Sequence, residues 1–304
     1  FVKFSKKNTI RDIVDFRYIV ISTINTMKKL FLLSLFVPLV SFGQTLYKVK
    51  IITDIDYNEN VIYPDKKDLL DIYIPEGKKN YPVIVYFHGG ALLAGSKEMG
   101  KDIGVKLAKS GVGFVSANYR VSPIAKYPDH LNDAQAATEW AFNNMGSFGG
   151  DLKNIYVSGH SAGAYLSAVL ALNKDLKIHK MRKIRGAILI SPFLYVEETA
   201  PVRIKRDSIY KSIWGTNPKD WKKASVSTHN KGNNENFISI MAENDEVWRK
   251  EQNKRFINKL KKKQTASYIE MPNRNHSSLV NKILDDDDQV SATIIEFIQR
   301  TIIN

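Results

Sequence analysis

From residue 46 onward, short apolar runs alternate with longer amphipathic stretches. Tyr47–Ile52 and Leu69–Ile74 read as short strands, with turn chemistry between them at Asn58, Asn60 and Pro64. Tyr81–Phe87 (YPVIVYF) is continuously apolar, the pattern of a strand buried on both faces. Lys101–Ser110 predicts a helix that Gly111 ends, Val112–Tyr119 a second buried strand, and Leu131–Met145 a helix with apolar positions at helical spacing. Ile155, Tyr156 and Val157 form a short strand before Gly159–Gly163, and a helix of small residues opens directly after it. Further strands are expected at Ala187–Ser191, Phe237–Met241 and Ala266–Glu270, with helices from about Arg249 to Lys262 and from about Gln289 to Ile303. Strands alternating with helices imply a mostly parallel, doubly wound sheet with right-handed crossovers. The acidic run Asp285–Asp288 sits where it would cap the last helix.

The first 43 residues follow a different pattern. Residues 1–26 are basic without an amphipathic period, and Met27-Lys28-Lys29 then opens an apolar run from Leu30 to Val40, broken only by Ser34 and Pro38. Ser41-Phe42-Gly43 follows with small residues at the −3 and −1 places before Gln44. Two lysines, a run too short to span a bilayer and a small-x-small exit are the signature of an export signal. The expected organisation is a non-native upstream extension at 1–26, a signal peptide at 27–43, and one domain at 44–304. This predicts an exported protein, periplasmic or secreted, with no stable membrane insertion once the signal is removed. The chain has no cysteine, so no thiol follows the apolar run to carry a lipid anchor, and disulfides and thiolate metal sites are excluded. Of 45 Lys+Arg and 31 Asp+Glu, the leader holds 7 and 2, which leaves a net charge of +9 on residues 44–304. That surplus is scattered, at Lys222-Lys223, Lys261–Lys263 and Lys180–Arg185, and gives no basis for nucleic-acid binding.

The candidate chemistry centres on Gly159-His160-Ser161-Ala162-Gly163, a G-x-S-x-G motif with a strand before it and a helix after it. A serine on so sharp a strand-to-helix turn needs small residues two before and two after, and Gly159 and Gly163 supply them. The helix that follows points free N–H groups at a reacting carbonyl. A second glycine turn, His88-Gly89-Gly90-Ala91, follows the strand 81–87 and can bring backbone N–H groups against a ligand. Gly90, Ala91 and Ala162 are therefore the candidate oxyanion donors. A general base belongs in a loop after the last strand. Of six histidines only His276 lies there, in Pro272-Asn273-Arg274-Asn275-His276-Ser277. Asp245 follows the strand 237–241 and is favoured as the acid by loop register, with Glu243 and Glu246 as close competitors.

With these residues in place, the chain resembles α/β-hydrolase esterases of the hormone-sensitive-lipase and bacterial feruloyl/acetyl-xylan-esterase type. The likeness runs from about Leu69 to the C-terminus. It is carried by His88–Lys97, Asn118–Pro123, Phe148–Ile155 and Gly159–Gly163. The resemblance implies an α/β-hydrolase fold of about eight strands and a Ser161–His276–Asp245 triad working through an acyl-enzyme, with no metal or organic cofactor. Departures are Ala91 for the third glycine of the oxyanion turn, Ala242 for a glycine three before the acid, and Trp248 for a proline after Val247. A small cap insertion is expected at about 193–232, where Phe193, Tyr195, Tyr210, Trp214 and Trp221 are read as the cap's own core rather than an acyl pocket. The substrate implied is a small-molecule or carbohydrate-linked ester of short acyl length. An arylformamidase is the alternative, because the His-Gly-Gly and Gly-His-Ser-Ala-Gly pair also resembles kynurenine formamidases. A non-catalytic binding protein on the same fold is the third reading. Acyl length and oligomeric state are left open by the sequence.

Overall fold

The structure is a computed structural model that describes residues 46–58, 63, 65–178, 183–229, 236–261 and 265–303. The expected extension and signal peptide, 1–26 and 27–43, lie outside the described residues, as does His179. Eight strands form one sheet: β1 (Val49–Asp56), β2 (Leu69–Pro75), β3 (Tyr81–Phe87), β4 (Gly113–Ala117), β5 (Gly150–His160), β6 (Gly186–Ile190), β7 (Asn236–Ala242) and β8 (Ala266–Met271). Their spatial order is β1-β2-β4-β3-β5-β6-β7-β8. β2 runs antiparallel to both of its neighbours, and every pair from β4 to β8 is parallel. The doubly wound α/β expectation holds, with eight strands.

The helices are α1 (Lys101–Lys109), α2 (Asp129–Asn144), α3 (Ala162–Leu172), α4 (Val196–Arg206), α5 (Lys211–Trp214), α6 (Pro218–Ala224), α7 (Val247–Leu260), α8 (Ser278–Asn281) and α9 (Val290–Thr301). The central strands divide their side chains between two cores, as the two-residue period of a strand requires. Val83, Val85 and Phe87 of β3 join Leu131, Ala134, Leu166 and Val169 of α2 and α3 on one face. Ile84 and Tyr86 join Ile103, Leu107, Ile294 and Ile298 of α1 and α9 on the other. All seven β3 residues are buried, which accounts for the unbroken apolar run. Each fully buried large apolar side chain contributes about 1.5–3 kcal/mol of transfer free energy.

Two strand boundaries differ from the sequence reading in ways that bear on the site. The expected strand Val112–Tyr119 closes at Ala117, and the Tyr119 hydroxyl turns to donate to His88 C=O at 2.9 Å. The expected strand Ala187–Ser191 closes at Ile190, and Ser191 leaves it with φ +49°. The segment between β6 and β7, where a cap insertion is expected, carries α4, α5 and α6. Phe193, Tyr195 and Trp214 are buried there in the main apolar cluster, with Tyr210 and Trp221 packed against it. Phe193 stacks on Tyr165 of α3 at 4.7 Å between ring centres, so these aromatics pack this segment against α3.

Candidate active site

Strand β5 delivers its last residue, His160, to a turn at Ser161, and α3 starts at Ala162. Ser161 has φ 53° and ψ −110°, a conformation costly for any residue with a Cβ. The turn is held from outside by Ser161 N–H donating to Ile190 C=O at 2.8 Å. The flanking glycines are dictated by contact. A Cβ on Gly163 would lie 1.9 Å from Phe87 O, and one on Gly159 would lie 2.4 Å from the Gly163 carbonyl carbon. Because α3 begins at Ala162, its leading N–H groups have no intrahelical acceptor and face outward from the turn.

The glycine turn after β3 approaches the same serine. A Cβ on Gly89 would lie 3.5 Å from Ser161 Cβ and 2.9 Å from His160 Nδ1, which makes Gly89 the point where this turn meets the elbow. Gly90 has φ +113° and a Cβ there would strike Ala94 O at 2.1 Å, so the tight turn itself demands this glycine. Ala91 and Leu92 follow with φ +58° and +63°. The N–H groups of Gly90 and Ala91 enter none of the turn and loop hydrogen bonds among the described residues. His88 anchors the turn: it is fully buried, stacks on Tyr119 at 4.2 Å, and its Nδ1 donates to Gly89 C=O at 2.7 Å. Burial pushes His88 down to about 4, so it is neutral.

Asp245 and His276 come together as expected. His276 Nδ1 lies 3.0 Å from Asp245 Oδ1; the Asp245 side chain is fully buried, while His276 is about one-third exposed. Burial alone would raise the Asp245 carboxyl. Hydrogen bonds from His276, the Ala242 N–H (3.0 Å) and Ser191 outweigh it and hold the group below its ordinary value. The competing carboxylates are engaged elsewhere: Glu243 accepts the Asn273 N–H at 2.8 Å, and Glu246 pairs with Arg249 at 3.0 Å. The departure at Ala242 leaves the geometry intact, because the backbone N–H makes the contact.

Two further residues complete the arrangement. The Ser191 hydroxyl donates to Asp245 Oδ2 at 2.8 Å and its oxygen lies 2.7 Å from His276 Nδ1. An ionised Asp245 only accepts, so Nδ1 carries the proton and shares it between Asp245 Oδ1 and Ser191 Oγ. His276 Nε2 then holds the lone pair. Among the described residues the hydrogen bonds join His276 to Asp245 and not to Ser161. The elbow and the His276 loop meet through His160, whose Nε2–H donates to His276 C=O at 2.9 Å with the two rings 4.6 Å apart. Burial, with the neighbouring His276, lowers His160 to about 3, so its Nδ1 stays unprotonated across the ordinary pH range while Nε2–H donates.

A family model described as the alpha/beta hydrolase fold matches residues 84–279, a span holding both glycine turns, Asp245 and His276. The chain belongs to the α/β-hydrolase fold family. Among curated proteins, this α/β-hydrolase is 34% identical over 131 residues to a probable isoprenylcysteine alpha-carbonyl methylesterase of Oryza sativa subsp. japonica, across 42% of this chain and 32% of that protein. It is 27% identical over 240 residues to esterase LipC of Mycobacterium tuberculosis, across 72% of this chain and 59% of that one. The aligned part thus spans about a third of the first relative's length and well under two thirds of the second's. Among solved structures, an inhibited esterase B of Lactobacillus rhamnosis superposes with TM-score 0.72 at 17% identity, over 86% of this chain and 90% of that one. At that identity the likeness concerns the fold.

The sequence reading did not single out Gly89 or Ser191, and saw His160 only as a motif position. Gly89 could have been found from the adjacency of the two glycine turns. Ser191 leaves no sequence signal, since a serine after an apolar strand is commonplace. Among the described residues no group of three or more His, Asp or Glu is arranged to hold a metal ion.

Proposed function

We propose that this α/β-hydrolase is a serine hydrolase of carboxylic esters, with Ser161 as nucleophile, His276 as general base and Asp245 as its partner. One observation carries the reading: a buried carboxylate hydrogen-bonded at 3.0 Å to Nδ1 of a partly exposed histidine, with a serine in a strained turn whose neighbour His160 ties to that histidine. His276 Nε2 takes the Ser161 proton as Oγ attacks the ester carbonyl. Asp245 stabilises the imidazolium, and the oxyanion rests on N–H groups of Gly90, Ala91 and Ala162, with Gly89 against the serine. His276 then returns the proton to the leaving alkoxide. Water, deprotonated by the same nitrogen, releases the acid from the acyl-enzyme. Each oxyanion donor of this kind is worth about 3 kcal/mol in the transition state.

Both curated relatives bear esterase names, which supports this chemistry over formamide cleavage. An intact serine, acid and histidine support catalysis over a binding role. The substrate class we infer is a small-molecule or carbohydrate-linked ester of short acyl length. The reading includes export, supported by Lys28-Lys29, the apolar run to Val40 and Ser41-Phe42-Gly43; a mature N-terminus at Gln44 on exported protein is the expected finding, and one upstream of Met27 contradicts it. The deciding assay compares 4-nitrophenyl acetate release by the wild type and by Ser161→Ala. A fall of at least about 10³-fold in the variant is expected. Slow release that is equal in both proteins overturns the ester reading.

A further inference from the structure

We propose that the cavity between α4 and the start of α7 is a binding site for a small carboxylate with an apolar body, held by Arg203. The cavity measures about 480 Å³, within the roughly 300–1,000 Å³ range of small-molecule pockets. Thr199, Val202 and Arg203 of α4 line it with Tyr210, facing Trp248 and Gln252 of α7. Neither Ser161 nor His276 borders it, so the proposal does not depend on the ester reading.

The charges of the lining single out one group. Glu198 is taken by Arg255, at 2.6 and 2.8 Å, and Glu246 by Arg249 at 3.0 Å. Glu251 and Arg206 also border the cavity, both at its exposed side. Arg203 is the half-buried cation of the wall, and among the described residues no carboxylate lies within ion-pair distance of it. Its guanidinium instead lies over the rings of Phe193 and Tyr210, at 5.2 and 5.3 Å. Burial lowers its pKa from the ordinary arginine value, with Arg249 adding to the shift and Tyr210 and Glu246 opposing it only in part. Ring faces compensate a guanidinium only in part, whereas a planar carboxylate matches its fork with two parallel hydrogen bonds. The rings of Tyr210 and Trp248 and the methyls of Val202 supply an apolar wall for the rest of such a ligand. The carboxylates on the same lining weigh against a dianion, so a monocarboxylate is the species that fits.

Benzoate is a suitable probe, titrated calorimetrically into the full chain, with benzamide as its neutral counterpart. Saturable benzoate binding is expected in the wild type and, within twofold, in Ser161→Ala, with benzamide at least tenfold weaker. Arg203→Gln should weaken benzoate at least tenfold. Because Arg203 also packs on Phe193, a second variant is needed: Val202→Trp fills the cavity from a position that is 68% exposed, and should weaken binding as much with its thermal midpoint unchanged. Absence of saturable binding in the wild type up to about 10 mM overturns the proposal. So does benzamide binding as tightly as benzoate, affinity unchanged in both cavity variants, or loss of binding in Ser161→Ala, which would put the benzoate at the serine instead.

Discussion

Ser191 shows how a residue without a motif takes part in a site. Its hydroxyl satisfies Asp245 Oδ2, and its oxygen accepts part of the His276 Nδ1 proton, at 2.8 and 2.7 Å. It reaches both partners because it has left β6 in a left-handed conformation, with its own N–H held by Ile240 C=O at 2.9 Å and its C=O by Arg249 at 3.3 Å. On the proposed mechanism the imidazolium carries its charge only after proton transfer, so the contact to Nδ1 strengthens in the transition state. Hydrogen bonds to charged groups contribute about 1.5–3 kcal/mol. Ser191→Ala is therefore expected to lower kcat by about 10- to 100-fold with KM little changed, as steady-state kinetics on 4-nitrophenyl acetate would read. An unaltered kcat would leave Ser191 as packing alone. The positions of the proposed triad could be picked out because each is tied to a chain-level pattern: Ser161 to its flanking glycines, His276 and Asp245 to loops after strands. Ser191 was not, because its role depends on a strand ending one residue early, and a strand end has no distinct side-chain code here.

At the scale of elements, the apolar runs located the sheet well because β3, β6 and the Asn154–His160 part of β5 are buried on both faces, where composition and burial coincide. The segment between β6 and β7 was less legible. Its helices are short, and their aromatics pack against Tyr165 and Phe193 rather than repeating at a helical period. The acidic run before α9 was foreseen as a cap and divides its work. Asp288 accepts the Val290 and Ser291 N–H groups at 3.0 and 3.1 Å, while Asp285 and Asp287 lie 3.7 and 3.0 Å from the buried Arg274, two residues before His276. One short segment thus starts the last helix and steadies the loop bearing the proposed base. Asp288→Ala should cost about 1 kcal/mol, the usual worth of such a cap, and lower the thermal midpoint by about 2–4 °C in a domain of this size. The adjacent Asp286→Ala serves as the control and should leave the midpoint in place. Equal midpoints for both variants would deny Asp288 its capping role.

For the whole molecule, the buried histidines set how stability responds to pH. His88 and His160 are held neutral, at about 4 and about 3, mainly by burial, and His130, whose Nε2 faces Ser122 Oγ at 3.2 Å, is likewise lowered by burial to about 4. Groups facing His130 include Asp129, which opposes the shift, and Arg120, which adds to it. In the unfolded chain each returns to about 6.5 and takes up a proton that the folded state refuses. The folded values are depressed, so this stabilisation is complete above about pH 6.5 and is lost as pH falls toward the folded values, with the unfolded state binding more protons throughout that window. Each histidine then contributes a slope of about 1.4 kcal/mol per pH unit. Carboxylates with depressed values, such as Asp245, act in the same direction but below about pH 4, where unfolded carboxylates titrate. Urea unfolding at pH 7.5, 6.5 and 5.5 should therefore show the three histidines together costing about 1 kcal/mol of stability over the first step and about 3 kcal/mol over the second. His130→Asn, which keeps a polar partner for Ser122 and cannot charge, should flatten that second step by about 1 kcal/mol relative to the wild type. A wild-type profile flat from pH 7.5 to 5.5 would mean that these histidines accept protons in the folded state. Protonation of His160 would then fall on Nδ1, unpartnered among the described residues, and place a buried charge beside His276, while the Nε2–H bond to the His276 C=O would remain.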